Sequence, residues 1–180
     1  MNSPLTDELK KKFEKISHLI LDVDGVLTDG RIIMDDKGQE LKQFDVKDGH
    51  GLKMLLRSGF QIMFLTGRTS RVVAQRAQDL GIKDVYQGAK NKVKIFEDIL
   101  QAKGISPRTV AYMGDDIVDV PLFKRVGLSI AVANACHEAL KAADYVTEKE
   151  GGRGAVREVC DMILHLQGKW AEVILQYELS

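Results

Sequence analysis

The chain has 180 residues, and its 26 lysines and arginines are balanced by 26 aspartates and glutamates to a formal net charge of +0. That length fits one domain, expected over residues 1–180, and with 44% hydrophobic and 29% charged residues the composition excludes a disordered chain. Balanced charge argues against a dedicated nucleic-acid or membrane-surface binder, and the longest apolar runs, Ile62 to Leu65 and Leu128 to Ala133, are too short to span a bilayer.

The segment Met1 to Glu8 has no basic-then-apolar export pattern, and Cys136 and Cys160 match no metal or redox spacing. A cytoplasmic protein with two reduced thiols is expected. Residues 6–15 read as a short polar helix capped by Thr6 or Asp7, followed by a strand over 18–23 that runs into Asp24-Gly25. Two short strand-like runs, 31–34 and 40–44, flank the turn Asp35-Asp36-Lys37-Gly38 and predict a hairpin. Strands and helices then alternate. Helices are expected over 49–58, 70–80, 91–102, 117–126, 136–142 and 155–167, with strands over 60–65, 84–86, 110–113, 128–132 and 145–146. Repeated strand–helix units with near-continuous apolar strands predict an α/β fold, a parallel sheet covered by helices on both faces.

Ligands of such sheets sit at the carboxyl ends of the strands. Asp22 and Asp24 end the first strand, Thr66-Gly67-Arg68 the next long one, and Gly114-Asp115-Asp116 the strand over 110–113, while Lys92 opens the helix after 84–86. Asp22 and Asp24 alone fit a solvated Asp-Gly turn as well as they fit a reactive pair. A calcium loop fails, because its glycine and glutamate places hold Leu27 and Ile33. A nucleophilic aspartate at a strand tip with a second acid beside it suits the remaining residues. Phosphoryl transfer needs a divalent cation, a fixed protein cation and neutral donors at the phosphoryl oxygens. Asp22, Asp115 and a strand-end carbonyl offer hard ligands for Mg²⁺, Thr66 a hydroxyl and Lys92 a positive charge. Asp22 is placed to attack phosphorus, and Asp24 to protonate the leaving oxygen and then to deprotonate water.

Asp22-Val-Asp24-Gly25-Val-Leu-Thr28, Leu65-Thr66-Gly67, Lys92 and Gly114-Asp115-Asp116-Ile-Val-Asp119 resemble, in order, the four motifs of the haloacid dehalogenase superfamily. Within it, residues 16–168 are similar to the 3-deoxy-D-manno-octulosonate 8-phosphate phosphatase family. The closer likeness is carried by the first motif extended to Gly30, Phe44 to Gly49, Gly51-Leu-Lys53, Gly114 to Asp119 and Gly151 to Glu158. The resemblance implies a Rossmann-like fold and a Mg²⁺-dependent sugar-acid phosphatase of lipopolysaccharide precursor synthesis. It implies Asp22 as nucleophile and metal ligand, Asp24 as acid/base and ligand through its carbonyl, Asp115 as the third ligand, and Thr66 and Lys92 as phosphate holders. Asp116 and Asp119 would orient the metal's water and Lys92. Substrate contacts carried over are Asp45, Val46, Lys47, Asp48, Gly49, Lys53, Arg68 and Arg76, with Arg68, beside Thr66, ranked above Lys53 and Arg76.

The gaps from Asp22 to Thr66 and from Thr66 to Lys92 are too short to hold a cap domain, so the hairpin at 31–45 is the expected flap. Two strands alone are marginal in water. Pairing of flaps between subunits is therefore expected, and the resemblance implies a homotetramer. Trp170 and Val173 to Leu175, in the tail over 168–180, read as core or subunit contacts, and Gly151 to Gly154 as a helix-capping turn. Three rivals remain. A receiver-type phosphoacceptor module orders its acidic residues, Thr and Lys differently. A silent assembly subunit would not need intact motifs. A phosphatase of nine-carbon or shorter sugar phosphates differs only in sugar length.

Overall fold

The computed structural model describes residues 5–179; residues 1–4 and 180, the ends of the expected domain, lie outside it. Thr6, rather than Asp7, caps α1 (Asp7–Glu14), its hydroxyl accepting from the N–H of Leu9 at 3.2 Å. The chain continues through β1 (His18–Leu21), β2 (Ile33–Met34), β3 (Glu40–Leu41), α2 (Val46–Arg57), β4 (Gln61–Leu65), α3 (Arg71–Leu80), β5 (Asp84–Tyr86) and α4 (Lys92–Lys103). Then come β6 (Val110–Gly114), α5 (Val120–Phe123), β7 (Leu128–Ala131), α6 (His137–Ala142), β8 (Tyr145–Val146), α7 (Ala155–Leu166) and α8 (Trp170–Glu178).

Six strands form a parallel sheet in the order β5-β4-β1-β6-β7-β8, as the strand–helix alternation predicts. Every residue of β6 and β7 is buried, and alternate residues point to opposite faces, so both faces of the sheet are covered. The chain builds outward from β1 through β4 to β5, then returns to the other side of β1 with β6. The strand order therefore reverses between β1 and β6, where the strand ends open a crevice. Leu21 at the end of β1 is in register with Phe64 of β4 and Met113 of β6, which brings the segments after all three strands to the same height.

The largest departures from the sequence expectation fall in four elements, while other ends move by one or two residues. The helix expected over 49–58 begins at Val46, because Asp45 caps it by accepting from the N–H groups of Lys47 (2.6 Å) and Asp48 (3.2 Å). The helix expected over 117–126 shrinks to Val120–Phe123. Its leading residues are turned aside by the Asp119 carboxylate, which takes the N–H groups of Asp115 and Asp116. At its far end Gly127 is drawn to the carbonyls of Pro107 and Val110. The hairpin pairs only two residues per strand, Ile33 with Leu41 and Met34 with Glu40. The tail is helical as α8, anchored by buried Val173 and by Trp170 stacked 4.2 Å from His165.

Candidate active site

Strand pairing fixes the backbone of Asp22, whose N–H donates to the Met113 carbonyl at 3.0 Å. Its buried carboxylate accepts from the Val23 N–H (2.7 Å) and from Lys92 Nζ (2.7 Å). Lys92 is delivered by two local devices. Asn91 caps α4 by accepting from the Lys94 N–H, and the Ala89 N–H ties the preceding loop to the Thr66 carbonyl at 3.0 Å. Lys92 Nζ also donates to Asp119 Oδ1 at 2.7 Å and lies 3.3 Å from the Tyr112 hydroxyl, which itself donates to the same oxygen at 2.7 Å. The other oxygen of Asp119 takes the N–H groups of Asp115 (3.0 Å) and Asp116 (3.2 Å). Asp119 thus sits fully buried with both oxygens engaged, binding Lys92 to the loop that carries Asp115.

Electrostatics at this cluster are unbalanced. Burial works against the charge of Lys92, but Asp22 and Asp119 outweigh it and raise its pKa, so it remains an ammonium. Burial pushes Asp22 up to about 6 against the pull of Lys92. Burial, then the charges of Asp22 and Asp119, push Asp115 up to about 7. Carboxylate oxygens of Asp22, Asp115 and Asp119 lie within 4.8 Å of one another, facing one ammonium. Excess buried negative charge on hard oxygens fits Mg²⁺. Because Asp119 is saturated, the oxygens left for a cation are those of Asp22 and Asp115, and Gly25 keeps the approach open: a Cβ there would stand 2.0 Å from Asp115 Oδ2. A cation must displace the protons that burial retains on these acids. Mg²⁺ affinity is therefore expected to rise with pH through the range from about 6 to about 7, with proton release on binding. Calorimetry in buffers of different ionisation enthalpy reads both, and an affinity independent of pH over that range would contradict the assignment.

Asp22, Asp24, Thr66, Gly67, Arg68, Lys92, Asp115, Asp116 and Val118 line one open crevice of about 290 Å³ at the strand-order reversal. A family model for haloacid dehalogenase-like hydrolases matches residues 83–159. The 3-deoxy-D-manno-octulosonate 8-phosphate phosphatase of Escherichia coli strain B is 49% identical over 169 residues, 94% of this chain and 90% of that protein. The chain belongs to the 3-deoxy-D-manno-octulosonate 8-phosphate phosphatase family of haloacid dehalogenase-like hydrolases. The family's crystal structures agree in fold. The phosphatase from Moraxella catarrhalis, in complex with a magnesium ion, a phosphate ion and a KDO molecule, superposes with a TM-score of 0.93 at 39% identity, covering 96% of this chain and 99% of that one. The cobalt-bound enzyme from Haemophilus influenzae gives 0.86 at 43% identity, covering 91% and 99%.

Of the substrate contacts carried over from the phosphatase family, Arg68 alone lines the crevice with Asp22. Asp45 caps α2 and borders a separate cavity of about 280 Å³ with Asp29, Gln43, Gly152 and Arg153. Val46 and Lys47 are exposed on the first turn of α2, and Lys53 is half-buried further along that helix. Asp48 is buried, pushed up to about 6 by burial, and accepts from the N–H groups of Gly154 (3.3 Å) and Arg157 (2.8 Å), capping α7 from outside. The Arg76 guanidinium lies over the Phe44 ring, 5.6 Å from its centroid, in space that Gly49 leaves free. Sequence reasoning missed Lys42, which reaches Asp24 from the flap, and Tyr112, the one hydroxyl in an apolar strand. The buried polar position of Tyr112 inside Val110–Gly114 was the available signal; Lys42 had none.

Proposed function

We infer that the protein is a Mg²⁺-dependent phosphatase that hydrolyses 3-deoxy-D-manno-octulosonate 8-phosphate to the free sugar acid and inorganic phosphate, a cytoplasmic step in making a lipopolysaccharide precursor. The observation that carries the chemistry is Asp22, buried at the β1 tip against Lys92 with Asp24, Thr66 and Asp115 around the same crevice. The identity of the substrate is supported by the relatives. An oxygen of Asp22 attacks phosphorus, the bond from phosphorus to the sugar oxygen breaks, and Asp24 gives that oxygen its proton. Water then attacks the aspartyl-phosphate, losing its proton to Asp24, and Asp22 leaves as carboxylate. Asp22, Asp115 and the main-chain carbonyl of Asp24 would hold Mg²⁺, which would supply positive charge to offset that of the transferring phosphoryl group. Thr66 and Lys92 hold the phosphate, Lys92 is itself held by Asp119, and Asp116 would orient a water bound to that cation. Arg68 suits the substrate's carboxylate.

Phosphate release should be fastest with the eight-carbon 2-keto sugar-acid phosphate, ahead of a nine-carbon 9-phosphate and of hexose phosphates, and it should stop on chelation and return with Mg²⁺. Preference for another substrate, or activity in metal-free protein checked by elemental analysis, would overturn the corresponding part of the reading.

The flap exposes Ile32 (58%), Met34 (62%) and Leu41 (59%), an apolar load that a four-residue ladder cannot bury by itself. A homotetramer in which flaps pack together accounts for it, and it would bring Val46, Lys47, Lys53 and Arg76 into play around a shared site. Replacing residues 32–43 by a short Gly-Ser link should give monomers that retain activity on p-nitrophenyl phosphate but lose the sugar-acid substrate. Light scattering that finds the intact protein monomeric at assay concentration, with full selectivity, would refute the assembly.

A further inference from the structure

Lys42 leaves β3 with its side chain only 2% exposed, and its ammonium bonds to Oδ1 of Asp24 and lies 3.2 Å from Glu40 Oε1. The same Glu40 oxygen accepts from Arg68 Nη2 at 2.8 Å, and Arg68 Nε lies 3.7 Å from the second oxygen of Asp24. Four charges of alternating sign thus close a ring. Glu40 and Lys42 come from the flap, and Asp24 and Arg68 from the crevice. Each oxygen of Asp24 faces a different cation, which fixes the plane of its carboxylate. Such a ring is unlike an ordinary surface pair, because a nearly sealed ammonium cannot lose its partners without a large desolvation cost. The flap has little else to hold it in place: its ladder is two residues long on each strand, Ile32, Ile33, Met34 and Leu41 face outward, and Phe44 at its base is the apolar side chain that packs against the core.

We propose that Lys42 is a positioning residue for the hydrolysis: carried in on the flap, it sets the carboxylate of Asp24, so that docking of the flap and alignment of the acid/base are a single event. The proposal rests on the reading of Asp24 as acid/base. General acid/base catalysis demands hydrogen-bond reach to the moving proton, and a misplacement of about 1 Å can cost about 10²-fold. That loss must depend on the leaving group. A sugar alkoxide needs the proton, whereas p-nitrophenolate leaves largely without it.

The test is a double-mutant cycle of Lys42→Met and Asp24→Asn in the full-length, Mg²⁺-loaded protein, assayed on 3-deoxy-D-manno-octulosonate 8-phosphate and on p-nitrophenyl phosphate. Lys42→Met is expected to lower kcat on the sugar phosphate by about 10²-fold, with a loss on p-nitrophenyl phosphate at least about tenfold smaller and KM changed less than kcat. The double variant should be no slower than Asp24→Asn alone, and Lys42→Arg should recover part of the loss. Light scattering and thermal melting check that Lys42→Met keeps its assembly and fold; if it does not, Lys42→Gln, polar but uncharged, takes its place in the cycle. Equal losses on both substrates, or losses that multiply in the double variant, would overturn the proposal while leaving Asp24 in its role. An Asp24→Asn loss that is the same on both substrates would remove Asp24 as the acid and overturn the proposal with it.

Discussion

Asp22→Asn is expected to reduce steady turnover to below about 10⁻⁴ of the unsubstituted rate, the scale on which enzymes lose activity when a nucleophile is removed. The amide matches the carboxylate in volume, and its oxygen can still accept from the Val23 N–H or from Lys92. Lys92 keeps Asp119 as a charged partner at 2.7 Å, so the buried ammonium is not orphaned. Since burial already disfavours charge on Asp22, removing that charge should cost the fold little. The expected result is therefore a protein that melts near the parent temperature, binds Mg²⁺ more weakly and forms no aspartyl-phosphate on acid quench. Sustained turnover by protein shown by mass spectrometry to be free of deamidated Asp22 would eliminate covalent catalysis at this residue.

How much of this was legible in the sequence depends on whether a residue's role is local. The sheet was legible because its strands are short apolar runs ended by chemistry-bearing residues. Gly81 and Gly104, both in the left-handed region, end α3 and α4 within a residue of the ends expected for the helices over 70–80 and 91–102. Asp22, Asp24, Thr66, Arg68, Lys92 and Asp115 converge because parallel strands in register end at one height, a consequence of topology that strand order alone conveys. What escaped depends on contacts across the chain. Asp48 falls just ahead of the helix expected over 49–58, yet it lies inside α2 and caps α7, over a hundred positions away in sequence. The helix expected over 117–126 has suitable composition, but the Asp119 carboxylate folds back onto the N–H groups of Asp115 and Asp116 just ahead of it and bends its first residues into a turn. Lys42 looks like any charged residue of a solvent-facing hairpin; only the closure of the flap onto Asp24 makes it a buried ion.

Gly151→Ala is expected to disable the site without touching any group that meets the phosphate. Gly151 and Gly152 pack on the loop that carries the first motif, and the Gly152 N–H donates to the Val26 carbonyl at 2.8 Å. A Cβ on Gly151 would stand 1.7 Å from the Gly25 carbonyl oxygen, 2.7 Å from its carbon and 3.3 Å from the Thr28 oxygen. All three are backbone atoms, so no flexible side chain can yield. Nor is the opposing loop free to retreat: the Thr28 hydroxyl accepts from the N–H groups of Gly25 (3.3 Å) and Gly30 (3.2 Å) and holds it as a unit. Relief must come from moving Asp24 and Gly25 together, and a shift of about 1 Å there should cost about 10²-fold in kcat. Overpacking of this kind typically costs about 1–3 kcal/mol, which lowers the melting temperature of a domain this size by about 2–4 °C for each kcal/mol. Gly104→Ala supplies the control. Gly104 has φ +63° with nothing within 4 Å of where an alanine methyl would stand, so the substitution carries backbone strain of about 1–2 kcal/mol but has no path to the crevice. The two variants should lose comparable stability while only Gly151→Ala loses turnover. Full activity in Gly151→Ala, with a melting temperature matching that of Gly104→Ala, would show that the glycine loop does not hold the first motif in place.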